Sequence, residues 1–209
     1  SLNDGLGHKD GLTCIYNHHE QACAMAAEAY ARVQGQIAAV CVTTGPGGTN
    51  AITGVMGGWL DSIPMLVISG QVRYDTTVRS TGLAIRSYGD QEYDIVKMVS
   101  HITKYAQMVT DASDIRYCLE KALYLAKTGR PGPCWLDIPL NIQGSYVETE
   151  NLRGYTPEEA TVPSVTDELA KTIIEKVRGA KRPVLNAGNG IRIAGAGELF
   201  LRADTSVNG

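Results

Sequence analysis

The stretch that decides the fold begins with the apolar run Ala38–Val42 (AAVCV) and continues as the loop Thr43-Thr44-Gly45-Pro46-Gly47-Gly48-Thr49-Asn50. A short apolar run between Gly-containing segments is typical of a strand buried in a parallel sheet. The small-residue segment after the loop predicts a helix. Its glycines Gly54, Gly57 and Gly58 would each weaken an isolated helix by about 1 kcal/mol relative to alanine. They therefore indicate a helix that packs closely against a backbone or a cofactor.

Strands and helices alternate on both sides of this stretch. Residues 20–34 form a predicted helix, whose apolar stripe consists of Ala22, Met25, Ala26, Ala29, Tyr30 and Val33. The apolar run Met65–Ser69 predicts a second buried strand. Further predicted elements are a strand at Tyr105–Val109, a helix over 114–127 with the stripe Ile115, Cys118, Leu119, Ala122, Leu125 and Ala126, and a last strand at Cys134–Ile138. This alternation predicts an α/β fold with a doubly wound parallel sheet.

The pattern also divides the chain. Residues 1–147 are interpreted as one domain, whose N-terminal part is expected to be incomplete. Residues 148–166 are polar, contain two prolines, and are interpreted as a linker. A helix at Asp167–Val177 and a strand at Pro183–Asn186 then begin a second α/β unit, which has too little core to fold alone. The chain is therefore expected to be part of a larger protein.

Composition excludes several function classes. The 209 residues carry a net charge of −3, so no basic face is expected to bind nucleic acid. Apolar runs stay well below the roughly 18 residues that a membrane helix needs. Five cysteines occur without a C-x-x-C spacing, and we expect Cys41 and Cys118 to be small buried side chains. These features favour a reduced compartment, and we predict a cytoplasmic protein.

Glu20, within Asn17-His18-His19-Glu20-Gln21, is the first candidate for chemistry. A carboxylate in the first turn of a helix is stabilised by the helix dipole, which by itself explains the residue. A general acid or base would instead need an inward side chain with a raised pKa. Adjacent histidines on a turn seldom converge on one ion, so no metal site is predicted. The loop 43–50 matches neither a dinucleotide fingerprint nor a P-loop, so alone it indicates a tight turn.

Taken together, these residues closely resemble the pyrimidine-binding domain of thiamine-diphosphate-dependent enzymes of the acetolactate synthase type. The matching motifs, in chain order, are His19-Glu20-Gln21, Ala26-Ala27-Glu28-Ala29-Tyr30-Ala31-Arg32, Thr44-Gly45-Pro46-Gly47, Thr49-Asn50, Asp61-Ser62-Ile63-Pro64, Gly70-Gln71-Val72, Gln91-Glu92, Lys104 and Gly129-Arg130-Pro131-Gly132-Pro133. Their order and spacing hold over more than half of the chain.

The resemblance implies roles for particular residues. Glu20 matches the family's catalytic glutamate, which hydrogen-bonds the pyrimidine ring nitrogen of the cofactor and promotes loss of the thiazolium C2 proton. Gln91 and Lys104 match positions on the substrate side of the site. The positions that match the cofactor-binding loop are Thr43, Gly45, Pro46, Gly47 and Asn50, where the two glycines are expected to allow close approach of the flat ring.

The resemblance further implies a 2-keto acid substrate and an active site at the interface of a homo-oligomer. Acetolactate synthases act in branched-chain amino acid biosynthesis. The Gly-Asp-Gly motif that holds Mg²⁺ and the diphosphate in this family does not occur in the sequence. Some members bind FAD in the domain that begins near Asp167. Because Asp90 replaces the usual Phe before Gln91, a simple 2-keto acid decarboxylase or a glyoxylate carboligase stays an alternative. A stand-alone, non-catalytic binding subunit is another.

Overall fold

The computed structural model of the chain describes residues 2–158 and 164–207. Four strands are present in this part: β1 (Ala38–Val42), β2 (Met65–Gln71), β3 (Tyr105–Met108) and β4 (Pro133–Pro139). The helices are α1 (Leu2–His8), α2 (Glu20–Gln34), α3 (Pro46–Leu60), α4 (Val78–Thr81), α5 (Ile95–Val99), α6 (Ile115–Lys127), α7 (Leu140–Gln143), α8 (Asp167–Gly179), α9 (Asn189–Ile193) and α10 (Gly197–Val207). Short 3₁₀ turns occur at Tyr74–Thr76, Ala112–Asp114 and Thr149–Asn151.

The strands form one parallel sheet in the order β1-β2-β4-β3. Strand β4 is the last in the chain, yet it lies between β2 and β3. Its register aligns Met65 with Pro133 on one side and Tyr105 with Cys134 on the other. Because every strand is parallel, all four carboxyl ends lie at the same edge of the sheet, which we call the carboxyl edge. This arrangement confirms the predicted α/β fold.

Helices cover both faces of the sheet. One core cluster combines α2, α3 and α5 with the strand residues Val40, Val67 and Trp135. The other combines α6 with Leu66 and Leu136. Successive strand residues point to opposite faces, so a strand buried on both sides is apolar throughout, as β2 and β4 largely are. The apolar stripe predicted for α6 is confirmed, since its residues belong to the second cluster.

The face that α2 buries differs from the predicted one. The predicted stripe included Met25, Tyr30 and Val33, which are 45%, 53% and 78% exposed, whereas Ala24, Ala27 and Ala31 form the buried face. Small residues occupy the buried face of α2 because this helix lies very close to α3. A Cβ atom added at Gly54 would lie 2.6 Å from the backbone of Ala24. The close approach inferred from the glycines is therefore confirmed at Gly54, while Gly57 has open space around it.

Strand β1 is only half buried, contrary to the prediction. Its side chains alternate between buried and exposed, and Cys41 is exposed. In register, Cys41 aligns with Ile68, which packs in the cluster of α6. Helix α6 packs against β2, β3 and β4. Strand β1 lies at the edge of the sheet, so α6 does not cover this face of β1. Cys118 is buried as expected, and all five cysteines are free thiols.

The chain divides into two compact units, Ser1–Pro157 and Glu158–Gly209. The first unit continues ten residues beyond the predicted boundary at 147, because the segment before Pro157 packs on α6. Arg153 lies over the ring of Tyr117 at 4.0 Å from its centroid, and Tyr155 meets the same ring edge to face at 5.5 Å. Of the predicted linker, residues 159–163 lie outside the described part of the chain, as do positions 1, 208 and 209 of the predicted domains.

In the second unit, the predicted helix is confirmed as α8, which Thr166 caps by accepting the amide of Leu169. The predicted strand at Pro183–Asn186 is wrong. A strand needs a hydrogen-bonded neighbour, and this segment has none among residues 164–207; Val184 is 88% exposed. Within the described residues, every helix is too short or too polar to cross a membrane.

Candidate functional site

Most of the predicted site residues lie at the carboxyl edge of the sheet. The chain leaves β1 at Val42 and enters the loop that starts α3 at Pro46. Helix α2 runs in the direction opposite to β1, so its first residue, Glu20, also lies near this edge. Open α/β sheets bind ligands outside the carboxyl ends of their strands. The topology therefore brings Glu20 to the loop that follows β1.

Glu20 and Asn50 meet directly. The Nδ2 amide of Asn50 donates a hydrogen bond to Oε2 of Glu20 at 3.1 Å. The preceding residue, His19, caps α2, because its Nδ1 accepts the backbone N–H of Gln21 at 3.1 Å. Among residues 2–158 and 164–207, the His, Cys, Asp and Glu side chains form no group of three or more that could hold a metal ion.

The pKa of Glu20 is lowered, whereas a general acid or base was expected to have a raised one. The largest cause is a hydrogen bond from its own backbone N–H, followed by the amide of Asn50. Both donors stabilise the carboxylate, as unsatisfied amides in the first turn of a helix do. Burial acts in the opposite direction but is smaller, since the side chain is only partly buried. Glu20 is thus an ionised hydrogen-bond acceptor in this structure.

Gly47 keeps a narrow space open beside Glu20. A Cβ atom at this position would lie 2.6 Å from the Cγ2 methyl of Thr43 and 3.5 Å from Oε1 of Glu20. Thr43 and Gly47 thus form a small apolar wall next to a carboxylate. The glycine was expected to make room for a flat ring. In the structure, a side chain at this position would first clash with the methyl group of Thr43.

Gly45 brings the loop against Gln91. Its φ of 55° and ψ of −114° are strained for any residue with a side chain, and an added Cβ would lie 2.3 Å from the carbonyl oxygen of Gln91. Gln91 itself has a φ of 57°. Pro46, the first residue of α3, follows this contact and has no amide hydrogen to satisfy. The structure therefore places the backbone of Gln91 against the loop that follows β1.

Lys104 is not brought to this group. It directly precedes β3, at the amino edge of the sheet, where its backbone N–H donates to the carbonyl of Pro133 at 2.8 Å. Its ammonium group donates to the carbonyl of Thr128, and burial lowers the pKa of Lys104. Glu20 and Asn50 lie at the opposite, carboxyl edge of the sheet. The strand predicted at Tyr105–Val109 already begins directly after Lys104, so the strand pattern itself indicates the amino edge for this residue.

One further residue near the carboxyl edge, Asp137, was not singled out by the sequence. Asp137 in β4 is fully buried, and burial raises its pKa to about 6. Its carboxylate accepts hydrogen bonds from Ser69 Oγ at 2.6 Å and from Gln71 Nε2 at 3.0 Å. A single acidic residue inside an otherwise apolar strand is the sequence signal that would have found it, since a buried charge needs partners.

The chain is similar in sequence to a known protein family and to several known proteins. Residues 1–98 match the family described as thiamine pyrophosphate enzyme, N-terminal TPP binding domain. The acetolactate synthase large subunit of Lactococcus lactis subsp. lactis is 37% identical over 205 residues, which are 95% of this chain and 33% of that protein. For the acetolactate synthase large subunit of Haemophilus influenzae the identity is 35% over 214 residues, covering 99% and 35%.

A third relative, the acetolactate synthase isozyme 3 large subunit of Escherichia coli K12, is 36% identical over 214 residues, which are 99% of this chain and 35% of that protein. The chain thus spans about a third of the length of these relatives. The similarity covers both compact units, whereas the family match is confined to the first.

Proposed function

We propose that this chain, whose residues 1–98 belong to the thiamine pyrophosphate enzyme family by their N-terminal TPP binding domain, supplies the pyrimidine side of a thiamine diphosphate site. The observation that carries the proposal is the pair of Glu20 and Asn50, joined at 3.1 Å beside the side-chain-free Gly47. A pyrimidine ring needs a hydrogen-bonding group at its nitrogen and a flat space for its face. The carboxylate and the glycine offer these two features next to each other.

The residues fit this cofactor in further respects. Thr43, Gly45, Pro46, Gly47 and Asn50 would line the ring, and Glu20 would hold a proton at its nitrogen. When bound, thiamine diphosphate supplies the electron sink for decarboxylation of a 2-keto acid. The pKa of Glu20 is lowered while its carboxyl group is only partly buried. A ring that covers the carboxyl group would remove water and favour the protonated form, as desolvation does for any carboxylate.

The proposed reaction is decarboxylation of a 2-keto acid such as pyruvate, followed by transfer of the remaining fragment to a second carbonyl compound. The relatives named as acetolactate synthases support this reaction class. We propose that Gln91, whose backbone lies against Gly45, contacts the substrate. Mg²⁺ and the cofactor diphosphate would be held by residues outside this chain.

We further propose a homo-oligomer in the cytoplasm. The apolar stripe of α2 formed by Met25, Tyr30 and Val33 is exposed in the single chain, and burying it against a second copy would remove apolar surface from water. Helix α2 begins at Glu20, so such an interface would lie next to the proposed cofactor site. The free thiols support a reduced compartment.

The first experiment measures CO₂ release from pyruvate by the full-length gene product with thiamine diphosphate and Mg²⁺, in the wild type and in Glu20→Gln. The amide keeps the shape of the side chain but cannot deliver a proton to the ring nitrogen. We expect the rate to fall on the order of a hundredfold or more, as loss of a general acid–base group does. The melting temperature should stay within a few degrees.

Glu120→Gln is the matched control. Glu120 lies on α6, on the opposite face of the sheet, where its carboxylate binds Arg116 and the backbone N–H of Tyr155. We expect this variant to keep its activity. Equal rates in the wild type and Glu20→Gln would contradict the role of Glu20. No thiamine-diphosphate-dependent turnover in the wild type would overturn the proposed activity.

A further inference from the structure

The side-chain amide of Gln71 uses its entire hydrogen-bonding capacity. Its Nε2 donates to Asp137 Oδ2 at 3.0 Å and to the carbonyl oxygen of Tyr93 at 2.9 Å. Its Oε1 accepts from Thr44 Oγ1 at 2.7 Å and from the backbone N–H of Val72 at 3.0 Å. A glutamine amide offers two donors and about two acceptor sites, so none is left for water.

These partners also fix which way the amide points. The ionised carboxylate of Asp137 and the Tyr93 carbonyl can only accept, and the Val72 amide can only donate. Turning the amide over would place oxygen against two acceptors and nitrogen against a donor. Gln71 is buried at the end of β2, so such mismatches could not be relieved by solvent. The orientation therefore follows from the chemistry of the neighbours.

Asp137, which accepts one of the hydrogen bonds from Gln71, is itself held in place by buried neighbours. Asp137 is held by Ser69 Oγ at 2.6 Å, and Ser69 Oγ in turn accepts the indole N–H of Trp135 at 2.8 Å. Asp137, Ser69 and Trp135 are all buried, and each lies within β2 or β4 in the middle of the sheet. Gln71 thus projects from a fixed core towards the two segments that it joins at the carboxyl edge.

Those two segments carry the proposed site. Thr44 immediately precedes Gly45, which leads into the loop that would hold the cofactor. Tyr93 follows Gln91 by two residues, and the carbonyl of Gln91 closely approaches Gly45. Both Gly45 and Gln91 have positive φ angles. Strained backbone of this kind persists only when its surroundings over-determine it.

We propose that Gln71 is a positioning residue that sets the spacing between the cofactor loop 43–50 and the substrate-side segment 91–93. This inference rests on the proposed function for its catalytic consequence, but its structural part is independent of it. The amide of Gln71 is fully engaged by protein groups, so this role requires no contact with cofactor or substrate. It acts through Thr44 on one segment and through Tyr93 on the other.

The test compares Gln71→Leu with Ser69→Ala in the full-length gene product. Leucine removes all four hydrogen bonds, whereas Ser69→Ala disturbs the same buried cluster without touching Thr44 or Tyr93. We expect both variants to lower the melting temperature. Only Gln71→Leu should lower kcat/KM for pyruvate, on the order of tenfold to a hundredfold, and weaken thiamine diphosphate binding. If both variants change these constants equally, the role of Gln71 is structural only and the proposal fails.

Thr44→Val provides a second route should Gln71→Leu fold poorly. It breaks one link and should reproduce part of the kinetic loss at nearly full stability. In a double variant with Gln71→Leu it should add nothing, because the link is already lost. Effects that multiply in the double variant would refute action through Thr44.

Amide hydrogen exchange of the cofactor-free protein separates this proposal from the proposed function. Gln71→Leu should speed exchange in both 43–50 and 91–93, whereas Ser69→Ala should not. A wild type that binds no thiamine diphosphate would overturn the proposed function, and the exchange data would still decide the role of Gln71. Unchanged exchange in Gln71→Leu would overturn the positioning role whether or not the cofactor binds.

Discussion

Replacing Asp137 by Asn should change how the stability of the chain depends on pH. Burial raises the pKa of Asp137 from 3.8 to about 6, against the hydrogen bonds from Ser69 and Gln71 that favour the carboxylate. Of the nearby charged groups, Asp94 raises the pKa and Arg79 lowers it. Between pH 3.8 and about 6, the folded state holds a proton that the unfolded state has lost. Stability from this group is therefore present below the lower value and is lost as pH rises through the higher one.

The magnitude follows from the shift. About two pKa units at roughly 1.4 kcal/mol each amount to about 3 kcal/mol of stability lost between pH 4 and pH 7. Asparagine cannot ionise, so the unfolding free energy of Asp137→Asn does not fall in this way as pH rises. Any effect of the amide itself on the unfolding free energy is the same at every pH. The other carboxyl groups are common to both proteins and cancel in the difference.

Urea unfolding of the wild type and the variant between pH 4 and pH 7.5 gives the measurement, with tryptophan fluorescence as the probe. The indole of Trp135 bonds the Ser69 hydroxyl in the same cluster, and Trp59 is common to both proteins. We expect the difference in unfolding free energy to shift by about 3 kcal/mol in favour of the variant as pH rises, with its midpoint near pH 5. Parallel curves at all pH values would refute the reasoning and show that Asp137 titrates normally.

Three other results are expected. Gly54→Ala should lower the unfolding free energy by about 1–3 kcal/mol, because its Cβ would meet the backbone of Ala24, whereas Gly57→Ala should be neutral or add up to about 1 kcal/mol; equal urea midpoints would contradict the close helix packing. Gly47→Val should weaken thiamine diphosphate binding by filling the space beside Glu20, and unchanged affinity in calorimetry would remove this loop from the site. In iodoacetamide labelling at pH 8 followed by mass spectrometry, exposed Cys14 should react well before buried Cys134, whose pKa is raised to about 12; similar native rates would mean that β4 is open to reagent.

The sequence was informative where one physical effect dominates. Buried parallel strands are apolar on both faces, so β2 and β4 could be predicted from composition alone. It misled where two effects compete. On α2 the larger apolar residues define the obvious stripe, but close packing against α3 selects alanines, and the stripe faces outward. The edge position of β1 likewise depends on strand order, which no local pattern encodes.

In the candidate site, too, some contacts could be predicted from the sequence and others could not. The contact of Glu20 with Asn50 joins residues 30 positions apart, and it was accessible because the resemblance pairs their motifs. The hydrogen bonds of Gln71 with Asp137 join residues 66 positions apart. They depend on β4 lying beside β2, so they became visible only with the sheet order. For Lys104, the resemblance implied the substrate side of the site, whereas the strand predicted at Tyr105–Val109 begins directly after it and indicates the amino edge of the sheet.

The insertion of β4 between two earlier strands has a consequence for how the chain folds. While residues up to about 130 emerge during synthesis, β2 and β3 have no common partner, and Asp137 does not yet exist to receive Gln71. Docking of β4 closes contacts that are distant in sequence, which is the slow kind of step in folding. The loop that carries Thr44 should therefore become ordered last, and a nascent chain stalled before β4 should expose apolar strand edges to chaperones.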